Sequence, residues 1–172
     1  MTAAVGLAAY QRQVRAALQS PPGTVPELIG GRVLRWSVEQ WAALQLRSVC
    51  PLTSTLLTFR GRYAGAVAEQ LARPGRGSLH EWGLAFLVAH LTDDNPLVAD
   101  VARLEHAMTA PGADQLPLPD PWTWQRDPAD VVTFIATGRD PALAALLDRP
   151  VRLVRRADGA LVTQSPVVAP AS

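Results

Sequence analysis

Apolar residues recur three or four positions apart over the first 110 residues, which is the spacing of helices with one buried face. The spacing predicts one helix over residues 3–19, a second over 36–49, and a third that begins at Pro51 and ends at the Pro/Gly break 73–77. Pro51 suits the first turn of a helix, because no amide donor is needed there.

Two further helices are marked at their starts by capping signals. Ser78 and Glu81 form the S-x-x-E capping box ahead of the apolar run "LHEWGLAFLVAHL". Asn95 followed by Pro96 pairs a capping side chain with a first-turn proline, and opens the helix "LVADVARLEHAM". The sequence therefore predicts a mainly α fold with a bundle of about five helices over residues 1–110.

The chain changes character after residue 110. Residues 111–126 are rich in proline and are predicted to be an extended linker. Asp127-Pro128 and Asp140-Pro141 are two more cap signals, and each opens a short helix. Residues 127–172 are expected to form a small α/β tail, because apolar and polar residues alternate near its end as they do in strands.

This alternation predicts a β-hairpin. Its strands are 151–156 and 160–164, and Asp158-Gly159 between them favours the positive φ angles of a tight turn. A lone hairpin is only marginally stable in water, so it must pack on the helical body or on a partner. If it has an open edge, an incoming peptide can pair with it, which makes the first strand a candidate peptide-binding segment: Val151, Arg152, Leu153, Val154, Arg155 and Arg156.

Two tryptophans near the end of the predicted linker are a second candidate contact. Trp122 and Trp124 lie in "DPWTWQR", and aromatic side chains dominate the energetics of interfaces. They are therefore candidate contacts to a partner protein. The other interpretation, to which the sequence gives at least equal weight, is that they fasten the linker to the core.

The composition limits the cellular location and the kinds of covalent chemistry that are expected of this chain. The 172 residues are 48% hydrophobic, and the formal net charge of +1 provides no overall field for nucleic acid or anionic membrane. No apolar run approaches membrane-spanning length and no secretory signal pattern is present, so a soluble cytoplasmic protein is expected. The single cysteine excludes an internal disulfide, and the absence of lysine excludes lysine Schiff-base chemistry.

No catalytic set is evident in the sequence. His80 and His90 lie ten residues apart, which turns them to different sides of a helix, and Leu84 stands where an H-E-x-x-H motif needs its second histidine. Cys50 precedes a helix start, which can lower a thiol pKa, but we favour a packed, inert thiol over a nucleophile. We expect neither metal nor cofactor in this chain.

A carboxylate, Glu105, borders the apolar stripe of the last predicted helix. It projects only about 40° from Val101, so it does not face open water. A carboxylate there needs a cation or backbone donors. We predict a structural ion pair between Glu105 and an arginine of an earlier helix, with acid–base chemistry as the alternative; the candidate arginines are Arg32, Arg35 and Arg62.

Three segments carry a resemblance to a known family. "VCPLTSTLL", "GSLHEWGLAFLVAHL" and "LVADVARLEHAM" resemble three marks of the HvfC/BufC family: a Tyr-Pro before apolar residues, a Ser-Leu-x-Glu-aromatic-Gly helix start, and an Asp-x-Ala-Arg-Leu-Glu-x-Ala helix. The resemblance covers about residues 5–110. Cys50 stands in place of the tyrosine before the proline, and Trp36 in place of another tyrosine, which indicates a divergent branch of the kind that serves methanobactin biosynthesis.

The resemblance implies a partnership. Family members are encoded with a TIM-barrel oxidase whose multinuclear iron centre modifies cysteines in a ribosomally made peptide. The small subunit forms a heterodimer with that enzyme and helps to present the leader of the cysteine-containing precursor peptide. A non-catalytic subunit is therefore expected, with the iron in the partner enzyme.

The family's N-terminal domain has also been described as DNA-binding, so the alternative function is a DNA-binding transcriptional regulator. Such a protein needs a clustered basic face. The chain offers only two small arginine clusters, at 73–76 and 152–156, and its net charge is close to neutral. We therefore do not expect nucleic acid as a partner.

Overall fold

The structure is a computed structural model, and it describes residues 12, 31–73, 77–110, 122–156 and 159–164. A bundle of five α-helices is followed by a three-stranded antiparallel sheet and one further short helix. This confirms the expected fold class, a helical bundle with a small α/β tail. The predicted helix over 3–19 lies outside the described residues except for Arg12, which is helical.

The bundle is built around α1 and α5. Its helices are α1 (Gly31–Val49), α2 (Pro51–Phe59), α3 (Tyr63–Ala72), α4 (Leu79–His90) and α5 (Pro96–Thr109). α1 packs on α2, α3 and α4, while α5 packs on α2 and α4. The two capping signals are confirmed: the Ser78 side chain accepts from the Glu81 amide, and the Asn95 side chain accepts from the first turn of α5.

The third predicted helix is in fact two helices, because Gly61 ends the first of them. Gly61 has a φ of +66°, in the left-handed region that glycine adopts readily. Its amide donates to the Thr58 carbonyl at 3.0 Å, and the Arg62 amide donates to the Leu57 carbonyl at 2.9 Å. These two bonds are the Schellman pattern that closes a helix. The apolar rhythm continues across the stop, so periodicity alone did not reveal it.

The sheet has the order β1-β2-β3, and its strands are β1 (Trp122–Arg126), β2 (Leu146–Arg155) and β3 (Leu161–Gln164). The β2–β3 hairpin is confirmed, with Gly159 at a φ of +85° in the turn. β1 corrects the linker prediction, because the last five residues of 111–126 form a strand that pairs with β2. Residues 111–121 lie outside the described residues.

A short helical segment connects β1 to β2. It comprises α6 (Pro128–Ala136) and a 3₁₀ turn (Pro141–Leu143). Both begin as the cap signals predict: the Asp127 side chain accepts from the Ala129 amide, and the Asp140 side chain accepts from the Ala142 amide.

One hydrophobic cluster joins the bundle to the sheet. It includes Leu56, Phe86 and Val101 from the helices together with Trp124 and Val131 from the C-terminal part. α6 packs on both α2 and β1. The sheet therefore rests on the bundle through shared core side chains, and its position fixes which strand edges and helix faces face outward.

Candidate functional site

The Glu105 carboxylate lies at the N-terminus of α2. Its two oxygens accept from the Leu52 amide at 2.7 Å and from the Thr53 amide at 2.8 Å, and the residue is 3% exposed. Cys50, the N-cap residue of α2, provides no side-chain capping bond. Glu105 thus supplies from α5 the acceptor that the start of α2 lacks, at the end of the helix where a negative charge is favoured.

Among the described residues no arginine pairs with Glu105, so the predicted ion pair is not found for two of its three candidate partners. Arg35 pairs with Glu39 at 2.9 Å and Arg62 pairs with Asp93 at 2.8 Å, while the Arg32 side chain lies outside the described part of the chain. Burial raises the pKa of Glu105, and its hydrogen bonds with Thr53 and Leu52 only partly offset that effect. Backbone amides take the place of the cation, because they neutralise a carboxylate with no second charge to desolvate.

Cys50 lies beside Glu105 and is fully buried. Its thiol donates to the Gly83 carbonyl of α4 at 3.4 Å. A Cβ at Gly83 would lie 2.8 Å from the Val49 Cγ2 atom, so only glycine lets α4 approach this closely. Burial, and then the charge of Glu105, raise the pKa of the Cys50 thiol. This environment is that of a packed thiol and not of an activated nucleophile.

The three segments that carry the family resemblance therefore meet in one buried site. Cys50 belongs to the first segment, Gly83 to the second and Glu105 to the third. Each of them makes a contact that fixes one helix against another. The site explains why these residue types occur where they do, and its chemistry is structural.

A second polar cluster closes the loop between α4 and α5. Both Arg62 amino groups donate to the Asp93 carboxylate at 2.8 Å, and the Asn95 amide donates to it at 2.9 Å. His90 Nδ1 lies 3.4 Å from the same carboxylate. Burial lowers the pKa of His90, and Asp93 opposes that shift. The cluster links α3 to α4 and holds the loop that leads into α5.

Trp122 and Trp124 are 2% and 1% exposed, so their predicted role as exposed anchors of a partner interface is wrong. The Trp122 indole N–H donates to the Asp100 carboxylate of α5 at 3.1 Å, and Arg103 donates to the same oxygen at 3.1 Å. The strand alternates its buried tryptophans with exposed polar residues. Both tryptophans thus fasten the sheet to the bundle, which was the alternative reading.

The predicted peptide-binding strand is the central strand of the sheet. Leu153 is paired with Trp122 on one side and with Thr163 on the other, and Arg152 is paired with Thr123 and Gln164. Both edges are therefore occupied at Arg152 and Leu153, so a peptide cannot add to the strand there, and the predicted pairing along the whole of Val151–Arg156 is corrected at these two residues. Val154 continues the pairing with β3, and Arg156 follows the end of β2.

Arg155 of that segment is used within the fold. Arg155 donates to the Ala107 carbonyl near the end of α5 at 3.1 Å, and to the Gly159 carbonyl in the hairpin turn at 3.3 Å. It ties the hairpin to the bundle by neutral acceptors. Arg155 is therefore a structural contact.

Sequence reasoning missed an exposed apolar stripe on α1. Val33, Trp36 and Leu44 are 68%, 61% and 65% exposed. The prediction of a helix over 36–49 did not separate its buried apolar residues from its exposed ones, whereas in the structure Ala42 and Leu46 are fully buried. The signal was present, since α1 carries more apolar positions than one buried face can hold.

Among the described residues, no group of three His, Cys, Asp or Glu side chains is placed to hold a metal ion. None of the helices in this part of the chain combines the length and the apolar character needed to cross a bilayer. Compared with protein-family models, curated proteins and solved structures, the chain matches none of them.

Proposed function

We propose that this chain is a non-catalytic partner subunit that binds a TIM-barrel oxidase with a multinuclear iron centre and presents the leader of a ribosomally made, cysteine-containing peptide, as in methanobactin-type biosynthesis. The observation that supports it most is the convergence of the three family-like segments on one buried site. Residues that share contacts form a single structural unit, so the resemblance rests on a coherent set of positions and not on scattered matches.

To present a peptide as an added strand, the chain needs a sheet edge whose main-chain N–H and C=O groups can bond to the peptide. Since β2 is paired on both sides, the leader pairs with an outer strand, where an added strand gains main-chain hydrogen bonds. β3 is the better candidate of the two outer strands. Its four residues are half-buried or exposed, whereas β1 carries two buried tryptophans and packs against α6.

The proposal is tested by co-expressing the chain with the product of a neighbouring oxidase gene and with the precursor peptide. Co-purification at a 1:1 ratio is expected, together with a mass change of the peptide that requires both subunits. If the oxidase modifies the peptide equally well alone, or if the chain instead binds duplex DNA with an affinity that falls steeply with salt, the proposal is wrong.

The peptide site is tested separately by proline substitution at each position of β3, from Leu161 to Gln164. A proline removes one amide donor, so at an outward-facing position peptide affinity should fall about tenfold while the subunits still assemble. Ala145→Pro is the matched control: residue 145 is exposed, and Ala144 already has the ψ of 135° that suits the residue before a proline. Unchanged affinity in every β3 variant that still folds would place the peptide elsewhere.

A further inference from the structure

The exposed stripe on α1 consists of three large apolar side chains on one face of the helix. Val33, Trp36 and Leu44 lie on the side of the helix away from the buried Ala42 and Leu46. They extend over eleven residue steps, or about 16 Å at roughly 1.5 Å per residue. Exposed apolar side chains gathered on one helix face mark an interaction site more often than singly scattered ones do.

A groove lies beside the stripe, between α1 and α3. It has a volume of about 260 Å³, and its walls include Leu44 from α1 and Tyr63 and Val67 from α3. Arg47 lies at one end, with its guanidinium 5.0 Å from the centre of the Tyr63 ring. The Arg47 side chain donates to the Thr58 hydroxyl and has no carboxylate partner among the described residues. The groove thus has mixed walls, in which Glu39 and Gln40 stand beside the apolar side chains, and a cation at its mouth.

Trp36 and the groove wall at Leu44 lie at equal distances from Gln40 along α1, in opposite directions. Trp36 precedes Gln40 by four residues and Leu44 follows it by four, so each lies about 40° to one side of Gln40 on the helix surface. The protruding indole and the groove wall are therefore on one face, about 12 Å apart along the helix axis. A two-fold axis through Gln40 would bring each protrusion of one copy to the groove of the other.

We propose that two copies of this chain associate through α1 in antiparallel orientation, with Trp36 of each copy in the α1–α3 groove of the other. Such a contact is self-complementary and closes after two subunits. The side chains at its centre, Ser37 and Gln40, are neutral, so no like charges meet there. Arg47 then lies over the incoming indole, a favourable arrangement of a cation and an aromatic face.

The size of the contact sets its strength. A helix face roughly 10 Å wide and about 16 Å long presents on the order of 160 Å² of projected surface on each partner. A standard stable interface buries about 800 Å² on each partner. The dimer is therefore expected to be weak, with a dissociation constant in the range of roughly 10 to 100 μM.

Sedimentation analysis of the full chain from 1 to 500 μM tests the proposal. The average mass should rise from 18.4 kDa towards twice that value as concentration increases. Trp36→Glu should raise the dissociation constant at least tenfold. Leu143→Glu is the matched control, because it introduces the same charge at a leucine that is 70% exposed in the C-terminal part. A mass of 18.4 kDa at every concentration, or equal weakening by both substitutions, would overturn the proposal.

The orientation is tested by cross-linking. Gln40→Cys places a thiol beside the proposed axis, and the native Cys50 is buried, so a short bis-maleimide should join two copies through residue 40. Thr133→Cys, at an exposed position of α6, is the control and should give little cross-linked dimer. Equal yields from both variants would show that the copies do not meet along α1, and would assign the stripe to another occupant.

Discussion

Glu105 supplies from α5 the hydrogen-bond acceptor that Cys50, at the N-cap of α2, does not provide. At the scale of residues, the buried polar groups are thus parts of the scaffold. A carboxylate in this place holds two helices together because each oxygen has its own amide donor. The same logic applies to Asp93, which accepts from Arg62 and from the Asn95 amide, and to Asp100 of α5, which accepts from Trp122 of β1.

Glu105→Gln should lower the free energy of unfolding by about 1–3 kcal/mol at pH 7. Glutamine offers one oxygen, so either the Leu52 or the Thr53 amide loses its acceptor inside the protein. Urea unfolding followed by circular dichroism measures the effect. Glu39→Gln, which breaks a partly exposed ion pair with Arg35, serves as control and should change stability by no more than about 0.5 kcal/mol. Equal losses in the two variants would contradict the capping role.

His90 should make the protein less stable in mild acid. Burial lowers its pKa below the usual 6.5, so the unfolded chain takes up this proton more readily than the folded protein does. The contribution of His90 to stability is therefore complete above pH 6.5 and is lost as the pH falls below that value. Unfolding free energies at pH 7.5 and 5.5 should differ less in His90→Gln than in the native chain. The exposed His80→Gln should keep the native difference, and an unchanged slope in His90→Gln would refute the assignment.

The sequence could show that Glu105 needs a partner, but not which one. The helical wheel places the carboxylate beside the apolar stripe, and burial then demands a cation or amide donors. The choice between them depends on where α2 begins relative to α5, which is a contact across more than fifty residues. Trp122 and Trp124 illustrate the same limit, because a pair of aromatics looks alike in sequence whether it faces a partner or the core.

At the scale of elements, the sequence predicts where helices begin but does not reveal that β1 pairs with β2. Ser78, Asn95, Asp127 and Asp140 each begin an element as predicted, because a cap is decided within four residues. β1 was missed since its partner strand begins twenty residues after it ends and its own surroundings are rich in proline. The central place of β2 follows from that same missing strand.

Gly61 and Gly65 lie four residues apart, and replacing each of them by alanine should change the stability of the protein in opposite directions. Gly61→Ala should cost about 1 kcal/mol, because a φ of +66° is unfavourable for any residue with a Cβ. Gly65→Ala, in α3, should stabilise by about 0.5 kcal/mol because it restricts the unfolded chain. Neither added Cβ meets an atom within 4 Å, so packing does not confuse the comparison. Thermal unfolding of the two variants decides the matter, and shifts of the same sign would contradict the helix stop at Gly61.

At the scale of the whole molecule, the bundle and the sheet share a core and should unfold together. Trp124 is buried in the same cluster as Phe86 and Leu56, and Arg155 ties the hairpin to the end of α5. Denaturation followed by far-ultraviolet circular dichroism, which reports the helices, should coincide with denaturation followed by tryptophan fluorescence. Trp36→Phe, Trp41→Phe and Trp82→Phe together leave only Trp122 and Trp124 of β1 in the fluorescence signal. A fluorescence transition at clearly lower denaturant would show that the sheet detaches first.

The alkylation rate of Cys50, the single cysteine of the chain, can report how often the helices around it separate. Cys50 reacts with an alkylating reagent only when α4 separates from the junction of α1 and α2. Its sulfur is enclosed there, and burial raises the pKa of the thiol, so the reactive thiolate does not form. The alkylation rate in native buffer, divided by the rate of the unfolded chain, therefore equals the fraction of time for which that junction is open when reclosure is fast. A variant in which α2 separates from its neighbours more often should raise this ratio before its melting temperature changes measurably.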